Sequence, residues 1–374
     1  MKITLPEELI QVILLRLPLR NLLHLKRVCK SWLSLISDPQ FAKSHFDLAA
    51  ESTHKLLVRI NNDPGSDVNF VNIEDGSAEP VYSLPNPKPN QIQKHECIPR
   101  VNVVGSCRGF LLLTTASYPF LYFLIWNPST GLQKRFKKVW LKFSYICGIG
   151  YDSSTDDYVV VMITLPRSQT SCTTEAYCFS SRTNSWNCTM ITVPSTTNYT
   201  FVQDQFKHGL FLNGALHWLA CSDYNDCKII AFDLIEKSLS DIPLPPELER
   251  STYYLRAMGG CLCLCVKAFE TALPTEMWMM NQYKVHSSWT KTFVFSSHEF
   301  LPICFTKNGD IVGQDRTAVM RLGDTGTDEG ELPEHRTFKL GGGGWVDFRY
   351  SLLNYGVHRE SLLSLPCDFE KLEK

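Results

Sequence analysis

Residues 124–131 read LIWNPSTG, an apolar run ending in an aromatic and followed by a polar turn. Bulky β-forming side chains that give way to Asn, Pro, Ser and Gly mark a strand meeting a tight turn. The same design returns at 177–186 (YCFSSRTNSW), at 230–239 (IAFDLIEKSL), and at 276–280 (EMWMM) leading to Ser288-Trp289. Aligning Trp126, Phe179, Phe232 and Trp278 gives steps of 53, 53 and 46 residues, and a further apolar line, Val319-Met320-Arg321-Leu322, follows at about 42. A period of roughly 40–50 residues in a β-rich chain predicts a propeller with one four-stranded blade per repeat. A lone blade leaves both faces unburied, so blades must stack until the ring closes.

A second element precedes these lines, a Gly-centred turn entering an apolar strand. It occurs at 105–113 (GSCRGFLLL), 212–219 (LNGALHWL), 259–265 (GGCLCLC) and 307–311 (KNGDI). The glycines supply the positive φ that hairpin turns require. The propeller is predicted over 55–366, with six blades expected and five to seven compatible with the period. Long inter-strand loops are expected at Arg167–Thr174 and Thr189–Gln205. The polar stretch Asp324–Glu334 and the run Gly341–Gly344 predict an irregular last blade, and 367–374 reads as a tail.

Residues 5–46 have a different texture: LPEELIQVILLRLPLRNLLHLKRVCKSWLSLISDPQFAKSHF. Leu5, Leu9, Ile13 and Leu17 recur every four residues, with Ile10 and Leu14 beside them, as on one helix face. Thr4 and Glu7 have capping-box spacing, Pro6 falls in the first turn, and Pro18 stops the helix near Leu17. Arg20–Arg27 and Lys30–Ser37 read as two further short helices, the last ending at Asp38-Pro39, with 47–54 as a linker. About 40 residues cannot usually bury enough surface to stand alone, so part of this apolar excess must face something else. A helical hairpin packed on the domain behind it would satisfy the stripes alone. A DNA-binding three-helix unit fits poorly, because the third helix carries only Lys30 to meet phosphate.

The N-terminal segment resembles the F-box. The likeness rests on Leu5-Pro6-Glu7-Glu8-Leu9, on Leu17-Pro18, and on Val28-Cys29-Lys30-Ser31-Trp32 followed by Asp38-Pro39 and Phe41. The remainder resembles the plant F-box-associated, kelch-like propeller domain. There the motifs are WNPSTG at 126–131, GIGYDSSTDDY at 148–158, LNGALHWLA at 212–220, AFDLIEKSLSDIPLP at 231–245 and ESLLSL at 360–365. The resemblance implies a small all-α F-box of three helices (1–46) ahead of an all-β propeller. It further implies docking on a SKP-family linker through Leu5, Pro6, Leu9, Ile13, Leu17, Pro18, Val28, Cys29 and Trp32, and through that linker on a cullin–RING scaffold. The implied function is substrate receptor of an SCF-type ubiquitin ligase, with an unidentified target protein. The alternatives are a kelch-like propeller enzyme with an axial metal, and an F-box scaffold acting outside a ligase.

Composition sets outer limits. The 374 residues are 44% hydrophobic and 20% charged with net charge −1, so nothing global recruits nucleic acid or an anionic membrane. Glu7 and Glu8 interrupt what would be a signal-peptide core, and the expected location is cytoplasm, nucleus or both. With no export signal, the fourteen cysteines are expected as free thiols, and the sequons at Asn187 and Asn198 carry little weight.

No catalytic or metal-binding pattern emerges, and no cofactor is expected. Cys261, Cys263 and Cys265 alternate toward one face at strand spacing, which suits buried thiols better than a shared metal. His217, beside Trp218, is expected as a packed, hydrogen-bonded histidine. Asp152, Asp156 and Asp157 are expected to bond turn amides. Candidate target-binding side chains are Tyr118, Tyr199, Tyr224, Tyr253, Tyr254 and Arg256, chosen as aromatic or guanidinium groups near predicted loops.

Overall fold

The computed structural model describes residues 6–48, 54–59, 68–74, 78–81, 84–88, 101–139, 145–164, 173–192, 208–222, 226–246, 248, 251–268, 273–295, 300–314, 319–322, 335–337, 356–366 and 370–371. The expected last-blade irregularity at 324–334 and 341–344 lies outside these, as do Thr4 and Leu5.

The N-terminal module has four helices, not three: α1 (Glu7–Leu15), α2 (Leu19–Leu25), α3 (Lys30–Ser37) and α4 (Pro39–Leu48). Asp38-Pro39 ends α3 as expected, but it also starts α4. The Asp38 carboxylate accepts the amides of Gln40 and Phe41 at 2.8 and 3.0 Å, and Pro39 takes the first helical position, where no N–H is needed. At α1 the expected capping box is replaced by Pro6 as N-cap with no side-chain bond, and Glu7 and Glu8 meet the helix dipole. Cys29 caps α3, its Sγ accepting the Trp32 amide at 3.5 Å.

Six antiparallel sheets follow, each of four strands in sequence order, with two exceptions at the chain ends. Blade 1 holds His54–Arg59, Val68–Asn72 and Ala78–Val81, and its innermost strand, Gly356–Arg359, returns from the C-terminus to pair with His54–Leu57. Blade 2 begins at Asn102–Cys107, blade 3 at Tyr145–Asp152, blade 4 at Leu210–Leu212, blade 5 at Ser251–Met258 and blade 6 at Leu301–Phe305, each first strand innermost. Glu370–Lys371 adds a fifth strand at the rim of blade 2. Trp126, Phe179, Phe232, Trp278 and the line 319–322 all fall on the third strand of their blades, which is why they aligned at a common period. The Gly-centred turns are the hairpins between first and second strands. Arg108-Gly109, Asn213-Gly214 and Gly259-Gly260 each have both φ angles positive, the twist that a two-residue hairpin demands.

Neighbouring blades bury apolar faces against each other. Phe136 of blade 2 stacks on Phe179 of blade 3 at 3.8 Å, and the Trp186 indole donates to the Lys137 carbonyl across the same seam. Blade 6 is tied to blade 1 by Arg321, which donates to the Glu74 carbonyl at 2.6 Å, and by the Lys307 amide on the Glu74 carboxylate at 3.1 Å. The WNPSTG motif latches the returning C-terminus. Asn127, fully buried, donates to the carbonyls of Ser361 and Leu363 at 3.1 and 3.0 Å, while its own oxygen accepts the Ser129 amide.

One expectation about thiols is corrected. Cys221 and Cys227 sit directly opposite in the blade 4 hairpin, Cα atoms 4.0 Å apart, and form a disulfide. The pairing comes from strand register rather than from any spacing motif.

Candidate docking surfaces

On α1, Leu9, Val12 and Ile13 stand at i, i+3 and i+4 and so share one face, which is open. They are 51, 46 and 50% exposed, whereas Leu14 at 1% turns inward. Val28, in the turn between α2 and α3, is 62% exposed and Leu33 on α3 is 48% exposed. Pro6, Pro18 and Cys29 are exposed as well. Leu17 and Trp32 instead pack partly into the module's own core, so two of the residues expected on the docking face also hold it together. Val12 and Leu33 are open as well, although they were not among the residues expected to dock.

The inward face of the module is spent on the propeller. Leu14, Leu22, Ile36, Phe41 and Phe46 join one continuous core with Phe110, Phe123 and Leu363. Helix α4 makes the polar joint. Lys43 pairs with Asp156 at 2.6 Å, and Asp156 also accepts the Tyr151 hydroxyl at 2.5 Å; these two bonds hold its carboxyl below the usual carboxylate range. Arg359 lies over the Phe46 ring at 3.7 Å and donates to the Phe46 carbonyl. Arg108 is held between Phe46 and Tyr151, 5.1 and 4.4 Å from their ring centres. Nothing in the sequence marked Lys43 or Phe46, because α4 itself was unseen.

Arg108 and Asp156 belong to hairpins joining first to second strands, so the helical module covers the face of the ring where those hairpins lie. The ends at which described second strands finish and third strands begin point to the opposite face. Tyr118 is there, 78% exposed at the hairpin between Phe110–Ser117 and Phe120–Trp126. Tyr254 and Arg256 are half-buried and line a central cavity of about 740 Å³ on the ring axis. Tyr253 is corrected: at 7% exposure it is part of the core between blades 4 and 5, because alternation along its strand turns it away from the axis. Tyr199 and Tyr224 lie outside the described residues.

The titratable groups singled out in the sequence are structural. His217 is buried, bonded to the Leu210 carbonyl at 3.1 Å and the Tyr283 hydroxyl at 2.8 Å, and burial depresses its pKa to about 4. Burial pushes the Cys263 and Cys265 thiols up to about 12. Asp152 bonds the Ser154 amide and Asp157 the Arg182 amide, both at 2.9 Å. Among the described residues no three of His, Cys, Asp or Glu come together as a metal site would need, and no helix is long and apolar enough to cross a membrane.

Comparison with known proteins accounts for both halves. Residues 3–44 match the F-box domain, and residues 66–331 match the F-box associated beta propeller domain. The chain belongs to the F-box proteins with an associated propeller. Among its relatives in this family is an F-box/kelch-repeat protein of Arabidopsis thaliana, 31% identical over 304 residues, 77% of this chain and 78% of that one. The F-box protein CPR1 of the same plant is 24% identical over 318 residues, 78% of this chain and 72% of its own. Among solved structures, an Aleuria aurantia lectin aligns over 80% of this chain and 97% of its own, at 11% identity and a TM-score of 0.37. In this F-box protein the helical module shares one apolar core with the propeller.

Proposed function

We propose that this F-box protein is the substrate-receiving subunit of an SCF-type ubiquitin ligase. The observation that carries the proposal is the opposed placement of two surfaces. An exposed apolar face on α1 (Leu9, Val12, Ile13) is available to a SKP-family linker, and Tyr118, 78% exposed on the far side of the ring, marks a surface for a target. Fully burying a large apolar side chain is worth about 1.5–3 kcal/mol, so covering the exposed half of these three contributes on the order of 2–4 kcal/mol toward holding a partner. The linker would connect the chain to a cullin–RING scaffold. The receptor itself performs no chemistry: it raises the effective concentration of target lysines near a ubiquitin thioester held elsewhere. Cytoplasm and nucleus, where such ligases would meet their targets, are the proposed locations.

The test is reconstitution. Proteins labelled by a proximity enzyme fused to the receptor supply candidate targets. Each is then incubated with the purified ligase, ubiquitin and its activating enzymes, with and without this chain. Ubiquitin transfer to a target only when the chain is present is the expected result. Transfer at equal rate without it, for every candidate, contradicts the reading.

A further inference from the structure

The axial cavity carries a charge pattern that neither linker docking nor the ring's own stability uses. Among the described residues that wall it are Arg108, Arg256, Lys267 and Arg359, and none is Asp or Glu. His54 also lines the wall. Burying several cations is costly unless something meets them, and Asp47 of α4, 4.0 Å from Arg108, stands outside the lining wall.

The cations stand at different depths. Arg108 and Arg359 form the floor beside Phe46 of α4. Lys267 pairs in register with Thr252 near the opposite mouth, and Arg256 lies four residues further in on the same inner strand. At about 3.3 Å per residue, Arg256 is roughly 16 Å from the strand's outer end at Ser251.

Two observations point to a ligand rather than to internal pairing. Arg108 and Arg359 each direct an Nη2 group at α4, toward the Asp47 carboxylate and the Phe46 carbonyl respectively. Each keeps a buried Nε–H with no acceptor. Gln314, 3% exposed and on the same wall, has a buried amide oxygen with no donor, and its amide can present N–H groups by turning over. Buried polar atoms without partners are rare in folded proteins, and three on one cavity call for an explanation. The cations also disturb one another: burial lowers Arg359, Asp47 opposes this and Arg108 adds to it, while His54 is lowered by burial and by Arg359 against a smaller opposing effect of Glu74.

We propose that the axial cavity binds a small molecule carrying at least two phosphate groups. Four cations and, among the described residues, no lining carboxylate select a polyanion, the spread in depth selects one with separated charges, and about 740 Å³ suits a sugar bisphosphate or a nucleoside diphosphate. Phe46, Phe211 and Trp218 supply apolar wall for the body of such a molecule. An acidic side chain on a docked target is too short to reach the floor from the mouth, which favours a free ligand over a target segment. Because the floor arginines also grip α4, the ligand would tighten the joint between the F-box and the ring.

The test needs no linker, cullin or ubiquitin, so its outcome is separable from that of the ligase reading. Purified full-length protein is titrated calorimetrically, at constant ionic strength, with inorganic phosphate, fructose 1,6-bisphosphate, ADP and an octaglutamate peptide. Wild type is compared with Arg256→Ala and Lys267→Ala, neither of which touches α4. The expected result is saturable binding of at least one bisphosphate or diphosphate, tighter than inorganic phosphate and at least tenfold weaker in both variants, with unchanged circular dichroism. If Arg256→Ala does not fold, Lys267→Ala together with Arg256→Gln carries the comparison. No saturable binding by either organic phosphate, or equal affinity in wild type and variants, overturns the proposal. Octaglutamate binding that the variants weaken, with no binding of the small phosphates, also overturns it and assigns the cavity to an acidic target segment.

Discussion

Asn127 precedes Ser361 by 234 residues, and its side-chain amide donates to the Ser361 carbonyl at 3.1 Å inside the protein. This contact ties the second blade to the segment that follows the returning strand Gly356–Arg359, and so joins the two ends of the ring. Gly109 is part of the same latch. A Cβ there would stand 2.1 Å from the Ser361 hydroxyl oxygen, on a residue whose φ is +83°.

Replacing Asn127 by Ala leaves the Ser361 and Leu363 carbonyls buried without donors. The expected loss is about 2–3 kcal/mol of global stability. Asn127→Asp should cost more, since it faces those carbonyls with a charged acceptor. Urea unfolding of both variants against wild type checks this. Unchanged midpoints would show that the ring closes without the latch.

The joint between α4 and the ring is predicted to depend on packing more than on charge. Phe46 is 6% exposed, and Phe46→Ala should cost about 3–5 kcal/mol and speed proteolytic digestion of the protein. Lys43 and Asp156 are 36 and 46% exposed, so Lys43→Ala should cost under about 1 kcal/mol. Timed digestion of the two variants separates these effects. Equal digestion rates would contradict the ranking.

Much of this architecture was legible in the sequence, and the gaps have definite causes. The repeat was readable because third strands place an aromatic at the same depth in successive blades, as with Trp126, Phe179 and Phe232. Helix α4 was not read, because Asp38-Pro39 looks the same whether it stops one helix or caps the next; only the side-chain bonds to Gln40 and Phe41 distinguish the two. Tyr253 looked like a loop aromatic because strand ends cannot be placed to the residue, and a shift of one position reverses which way a side chain faces. The Cys221–Cys227 pair was invisible for a related reason: register, not spacing, sets it opposite. On α1, a four-residue stripe could not separate the exposed side from the packed one: Leu9 and Ile13 are half-exposed, while Leu17 packs partly into the core.

Acid should destabilise the fold through its buried histidines. His217 titrates at about 6.5 when unfolded and is depressed to about 4 by burial; His358 is depressed to about 3 by burial and by Lys55 and His54. The unfolded chain therefore binds protons between these values that the folded one does not. Stability is full above pH 6.5 and falls as the pH drops toward 4. Each histidine contributes a loss of about 2 kcal/mol by pH 5. The urea midpoint should fall from pH 7 to pH 5, and fall less in His217→Gln. Equal slopes in wild type and variant would remove His217 from the account.

Cys221 and Cys227 should resist alkylation of the native, unreduced protein, while the exposed thiols of Cys29 and Cys188 react. Peptide mass spectrometry with and without reductant reads this directly. Closing so short a loop is worth about 2 kcal/mol in the chain-entropy view, so Cys227→Ser should lower stability modestly. Ready alkylation of both cysteines without reductant would contradict the pairing.

The central claim, that the open face of α1 is the linker-docking surface, is tested most directly by the affinity of the purified full-length chain for a SKP-family protein. Calorimetry on wild type, on Leu9→Asp with Ile13→Asp, and on Lys43→Ala as a control away from that face supplies the comparison. The account predicts at least a hundredfold weaker binding for the double variant, with unaltered circular dichroism, and wild-type affinity for the control. Equal affinity of wild type and double variant for the linker would contradict it.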